Sequence, residues 1–219
     1  MVSLSVQAAC DYVRKVMDEL VSVEDIGLLA SPDALDLTRL VEGFIAEAVI
    51  RIHNAAPSFL LDGEKGTVGE DYAAAIEDGT EGVVVITMLK DTLRLVSVKA
   101  DDSPVVVCNI IPEDSAEGRK QLNRYVRGVY DDPRVVLAKV WSGDRLPILK
   151  YYSSSKNTCP VFELEYIPYP VMSDGGILVS PRLEYAVLNE LAAMVLDSLN
   201  EHEKAGIYRA KAKEYISIS

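Results

Sequence analysis

The chain has 219 residues, 49% of them hydrophobic, and 34 acidic against 22 basic side chains give it a formal net charge of −12. That length and apolar content are enough for one large domain, or for a domain with a sizeable insertion, and exclude wholesale disorder. The acidic excess excludes tight non-specific binding to nucleic acid, which needs clustered Lys and Arg, and no apolar run reaches the about 20 residues of a membrane span.

Val6, Ala9 and Cys10, Val13, Val16 and Met17, and Leu20 recur at three and four, predicting a first helix from about Leu4 to Val21. A linker follows, and Ser31 before Pro32 marks a second helix start, a hydroxyl cap ahead of a proline at the first position. That helix carries Leu37, Leu40 and Val41, Phe44 and Ile45, Ala48 and Val49, and Ile52, and Pro57 ends it after Ala56. From Asp62 to Gly82 glycines punctuate the chain, with a short helix expected at Asp71–Ile76. Val- and Ile-rich runs at Gly82–Leu89, Leu93–Ala100 and Pro104–Ile111 read as strands. A third helix is expected from Pro112–Asp114 to just before Asp131. Strands at Arg134–Trp141, Leu146–Tyr152 and Pro160–Ile167 come next, with turns at Ser142–Asp144 and Ser153–Asn157. The stretch IPYPVMSDGG then leads to a helical hairpin over Pro181–Ile216, with Leu183, Val187, Leu191, Val195 and Leu199 at a four-residue spacing.

This order predicts an α+β protein. Its N- and C-terminal helices, residues 1–61 and 171–216, pack as a bundle, and residues 62–170 form an inserted, mainly antiparallel β-rich lobe containing one helix.

Catalytic and metal-binding patterns are missing from the sequence. The two histidines, His53 and His202, lack a second histidine at ligand spacing, and His202-Glu203 does not continue as HExxH. His53 is expected at a helix end facing carbonyls. There is no GxSxG elbow, and in Gly63–Gly69 the lysine stands on the wrong side of the middle glycine for a phosphate loop. Asp101–Asp102 and Asp131–Asp132 read as turn aspartates, and Glu163 and Glu165 as one solvated strand face. Cys10, Cys108 and Cys159 are widely spaced without a CxxC pair, which reads as reduced thiols. No basic-then-apolar leader opens the chain, so synthesis and folding in the cytoplasm are expected. No catalytic residue, cofactor or metal is assigned.

Two places read as docking elements. Lys120, Arg124 and Arg127 fall on one face of the third helix, with Tyr125 and Tyr130 nearby, where an acidic or phosphate-bearing partner can sit. At the C-terminal end, Tyr215, Ile216 and Ile218 alternate with small polar residues, a pattern for an extended strand that adds to a partner's sheet.

Three stretches carry a family resemblance: DLTRLVEGFIAEAVIRIHNAAPSFLL, RKQLNRYVRGVYDDPRVVLAKVW and LNELAAMVLDSLNEHEKAGIYRAKAKEYI. In layout the chain resembles the head–tail connector (adaptor or ring) proteins of tailed bacteriophages, of the short-tailed, crAss-like type. The larger β middle departs from the all-helical adaptors. The resemblance implies a virion structural protein without a catalytic site, found at the head–tail junction and in host cytoplasm during assembly. Copies would form a ring, expected to be a dodecamer, contacting the portal protein and further tail or ring proteins. DNA would pass through its lumen without specific binding. The alternatives are a cytoplasmic assembly or tail-completion binding protein, and an enzyme with an unrecognised site in the β lobe.

Overall fold

The computed structural model describes residues 1–20, 34–78, 80, 82–138, 146–153 and 159–217. The helix start at Ser31–Pro32, the end of the strand at Trp141, the turn at Ser142–Asp144, most of the turn after Ser153, and Ile218 lie outside the described residues. The fold is α+β and divides into two compact units, Met1–Asp62 with Pro170–Ser219, and Gly63–Tyr169.

The first unit is mainly helical. It opens with a strand, β1 (Val2–Ser5), where a helix is expected from Leu4. The reason is tertiary: β1 lies antiparallel to β11 (Gly176–Val179), from Val2 opposite Val179 to Ser5 opposite Gly176. Helix α1 (Val6–Leu20) starts directly after it, and the Ser5 hydroxyl accepts the Ala8 N–H at 3.1 Å. Helix α2 spans Ala34–Ala55. After a single 3-10 turn at Pro181–Leu183, α4 (Glu184–Ser198) and α5 (His202–Ser217) form the hairpin.

Helix α4 is the centre of this unit. Every residue from Ala186 to Leu196 is buried, and the helix touches α1, α2 and α5. Those neighbours present Ala9, Val13 and Val16 from α1, Val41, Ile45 and Val49 from α2, and Ala205, Tyr208 and Ala212 from α5. A helix apolar on all sides belongs inside a bundle, which is why its hydrophobic pattern is broad. Two polar residues on it, Asn189 and Glu190, are buried as well. The Tyr12 hydroxyl donates to Asn189 Oδ1 at 3.1 Å, and Asn189 Nδ2 donates to the Tyr185 carbonyl at 2.7 Å. Arg51 Nη1 reaches Glu190 Oε1 at 3.3 Å, and Arg209 Nε lies 3.9 Å from the same oxygen.

The hairpin turn is a C-terminal cap built on Asn200, whose φ is +64°. The Asn200 N–H donates to the Asp197 carbonyl at 3.0 Å and the Glu201 N–H to the Leu196 carbonyl at 2.9 Å, the paired bonds of a Schellman motif. His53 lies in the last turn of α2, the helix-end position expected of it. It is fully buried and its Nε2 accepts the Ser180 N–H at 3.3 Å, so a turn of the C-terminal segment is fastened to α2.

The second unit is two sheets. β2 (Glu64–Gly66), β10 (Phe162–Pro168), β5 (Thr92–Ala100) and β6 (Val106–Val107) form one sheet in that order, all antiparallel. The other, also in spatial order, is β3 (Tyr72–Ile76), β4 (Val83–Met88), β9 (Ile148–Tyr152), β8 (Arg134–Ala138) and β7 (Ile110–Pro112). Its pairs are antiparallel except β7 with β8, which is parallel. One core joins both sheets, with Val84, Ile86, Met88, Leu149 and Tyr151 from the second and Leu95, Val98, Phe162, Leu164 and Tyr166 from the first.

Three sequence expectations are corrected here. Asp71–Ile76 is not helical: Tyr72–Ile76 is a strand, because the alanines that favour helix pair with Val84–Met88 and the Tyr72 hydroxyl donates to the buried Phe162 carbonyl. Pro104–Ile111 is not one strand but two, β6 and β7, which pair in different sheets. The third helix is cut to α3 (Ala116–Lys120).

Candidate interaction surface

The shortened α3 sets the geometry of the basic cluster. Ser115 caps the helix, its hydroxyl accepting the Gly118 N–H at 2.9 Å. Gly118 sits so close to β7 that a Cβ there would lie 2.2 Å from the Pro112 carbonyl oxygen. The helix stops after Lys120 because local side-chain bonds compete with it. Asn123 Oδ1 accepts the Tyr125 N–H at 3.1 Å, and the Asn123 carbonyl receives the Val126 and Arg127 N–H groups at 3.0 and 3.1 Å. Gln121, itself buried, accepts the Gly128 N–H on its side-chain oxygen at 2.8 Å. Gly128 is pressed onto the second sheet: a Cβ there would be 2.7 Å from the Tyr152 carbonyl oxygen.

Residues 122–127 therefore stand out from the sheet as a turn instead of lying along a helix. Leu122 is 68% exposed, Tyr125 88%, Val126 60% and Val129 47%. Four exposed apolar side chains thus fall within eight residues of the chain. Between them stand the cations. The Arg124 guanidinium lies 5.6 Å from the Tyr125 ring centroid. Lys120, Arg127 and Arg134 line a groove of 390 Å³ whose other walls include Gln121, Val126 and Val129. Arg134 is neutralised by Asp132 at 2.6 Å. Lys120 and Arg127 have no side-chain hydrogen bond or ion pair among the described residues, and the Arg127 Nε–H is a buried donor without an acceptor there.

The expectation that Lys120, Arg124 and Arg127 share one helical face is thus corrected. Lys120 ends α3, while Arg124 and Arg127 sit in the turn; the groove brings Lys120 and Arg127 together and leaves Arg124 on the aromatic tip. Sequence reasoning missed Leu122, Val126 and Val129, because in a helix they would be an inward stripe. Asn123 and Gly128, poor helix formers within eight residues of one another, together with the bulky run Tyr125, Val126, Val129 and Tyr130, were the available signal.

The C-terminal docking element is also placed differently. Tyr215 and Ile216 are in α5, which continues to Ser217, so this stretch is not an extended strand. Tyr215 stacks on Tyr185 with ring centroids 6.0 Å apart, and Ile216 is half-buried. Helix continuation satisfies backbone groups that an extended tail would leave open to a partner.

Elsewhere, a second groove of 480 Å³ lies on the outer face of the four-stranded sheet. Across its strands Lys99 pairs with Glu163 at 3.8 Å and the Ser97 hydroxyl donates to Glu165 at 3.3 Å, and Lys65 also lines it. Asp71, buried beside this sheet, is paired with Lys90; that bond first, and the Thr67 N–H second, hold its carboxyl below the ordinary carboxylate range. Burial pushes the Tyr151 and Tyr152 hydroxyls up. Among the described residues no group of three or more His, Cys, Asp or Glu is arranged to hold a metal ion.

No protein-family model matches the chain, and no curated protein is similar to it in sequence. Among the described residues no helix is long and apolar enough to cross a membrane.

Proposed function

We propose that this chain is a structural protein of a tailed-bacteriophage particle, one copy of a ring that binds below the portal and links head to tail. The reading rests on the layout resemblance. The structural observation that supports it is the exposed turn at Leu122–Val129, where Tyr and Arg side chains stand beside bare aliphatic ones. That composition belongs to protein–protein contacts, where Tyr and Arg anchors carry most of the binding energy. The role is structural, without catalysis.

Charge is consistent with the same role. A formal charge of −12 makes copies repel at long range, so contacts between them are weak in free solution. A portal ring that holds several copies side by side raises their effective concentration and closes the assembly. Acidic residues facing a DNA channel let phosphates slide without sticking.

The deciding experiment is purification of particles from cells carrying the native system, with mass spectrometry of the particles and of proteins captured on the tagged chain. Recovery of the chain in particles together with portal and tail proteins is expected. Capture of those partners without the chain in particles would make it an assembly protein, and capture of metabolic enzymes alone would overturn the proposal.

A further inference from the structure

We infer that the groove beside α3 seats an acidic side chain of a partner protein, its carboxylate held by Lys120 and Arg127 and its apolar neighbours covered by Leu122, Tyr125 and Val126. This rests on the reading of the chain as an assembly protein and names the chemistry of what it assembles with.

Three observations point the same way. The stretch from Ala116 to Tyr130 holds four basic residues and one acidic residue in a chain of net charge −12, so the local sign is opposite to that of the whole. Two of those cations, Lys120 and Arg127, line the groove without a side-chain partner among the described residues. The Arg127 Nε–H is enclosed by the protein, so an incoming carboxylate meets the outer nitrogens of the guanidinium, where a charge-assisted hydrogen bond is stronger than a neutral one. The third is the apolar turn: Val126 and Val129 line the groove, and Leu122 and Tyr125 are exposed on the same turn, so the occupant presents aliphatic or aromatic surface beside its acid.

A nucleic acid fits less well. Phosphate contacts want a run of cations, whereas Glu117 and Asp132 stand on the groove wall and four apolar side chains occupy the approach. A second copy of this chain brings a further −12 of charge to the encounter, which opposes the contact at long range. An acidic, partly apolar segment of a different protein meets both parts of the surface.

The test is zero-length carbodiimide cross-linking of the full-length chain in the cells that produce it, which joins the Lys120 amine to a carboxylate in direct contact. Cells expressing the wild-type chain are compared with Arg127→Glu, Arg127→Lys and Tyr125→Ala. Tyr125 is 88% exposed, so its truncation leaves the fold intact even where Arg127→Glu does not. An amide between Lys120 and an Asp or Glu of another protein is expected, reduced at least fivefold in Arg127→Glu and Tyr125→Ala and retained in Arg127→Lys. Lys120 joined only to its own chain, a link between isotopically light and heavy copies, a link abolished by nuclease, or a yield unchanged in the variants would each overturn the inference. The connector reading is scored separately, by whether the chain is found in gradient-purified particles. A Lys120 link to another protein without the chain in particles supports the groove and fails the connector. The chain in particles with Lys120 unlinked does the reverse.

Discussion

The side-chain oxygen of Gln121 accepts the backbone N–H of Gly128 at 2.8 Å, a buried bond that closes the turn carrying Leu122, Tyr125 and Arg127. Gln121 also donates to the Glu117 carbonyl at 3.4 Å, so one side chain ties the end of α3 to the far side of the turn. The candidate surface thus has a fixed base and a bare tip. Gln121→Leu fills the same space but leaves the Gly128 N–H without an acceptor, an expected loss of about 1–3 kcal/mol. Denaturant unfolding reads the loss, and amide hydrogen exchange at Gly128 should quicken. Unchanged exchange at that amide would show that the bond does not hold the turn.

Glu190 is the acidic centre of the helical unit. Arg51 and Arg209 both reach it, Arg51 is shared with Glu47 at 3.0 Å, and Arg209 is shared with Asp197. Glu190→Ala leaves two guanidinium groups facing an emptied site. Because the Arg51 and Arg209 side chains are 47% and 37% exposed, water relieves part of the penalty, and a loss of about 1–2 kcal/mol is expected instead of the about 3–5 for a wholly buried pair. Thermal unfolding of Glu190→Ala beside Glu190→Gln measures it, with the amide retaining some hydrogen bonding. Equal stability of both variants and the wild type would remove the network from any structural role.

Asn200 holds the α4–α5 turn in the left-handed region, where a Cβ without a compensating side chain costs about 1–2 kcal/mol. Asn200→Ala should therefore lower stability by about 1 kcal/mol, while Asn200→Gly should match or exceed the wild type. A glycine variant less stable than the alanine variant would contradict the backbone argument.

Acid should destabilise both units, through Asp71 in one and Asp197 in the other. The Asp197 carboxylate is held below its ordinary range by the His202 ring N–H first and the Arg209 guanidinium second. Lys90 and the Thr67 N–H act likewise on Asp71. Both folded-state values lie below the unfolded value of about 3.9, so their contribution is present above that pH and is lost as pH falls through the folded values. Melting curves should be flat in this respect above about pH 5 and fall steeply below about pH 4. Asp71→Asn and Asp197→Asn should each flatten part of the acid limb while lowering stability at neutral pH; a limb unaltered in both would assign acid unfolding to other groups.

Periodic helices were legible in the sequence, and so were most strands. Val13, Ile45 and Leu191 fall on the buried stripes that their spacing implies, and Val84, Ile86, Val98 and Leu164 lie in the sheets where β-branched and aliphatic runs place them. Short elements were not legible. β1 and β11 have four residues each, and neither has a signal of its own apart from the other. Tyr72–Ile76 is three alanines between larger residues, a composition that favours helix in isolation and becomes strand beside Val84–Met88.

The candidate surface divides along the same line. Its residue types, Lys120, Arg124, Arg127 and Tyr125, were visible as a cluster in the sequence, because composition alone reports charge and aromatic content. Their arrangement was not, since a run from Glu113 to Tyr130 reads as helix until the bonds of Asn123 and Gln121 are known. Helical periodicity is a local property, carried by each side chain's place along the backbone, so sequence by itself determined the α+β class and the buried stripes. The turn that turns Leu122 and Val126 outward depends on Gly128 lying against the Tyr152 carbonyl, a contact between residues far apart in the chain, and only tertiary packing decides contacts of that kind.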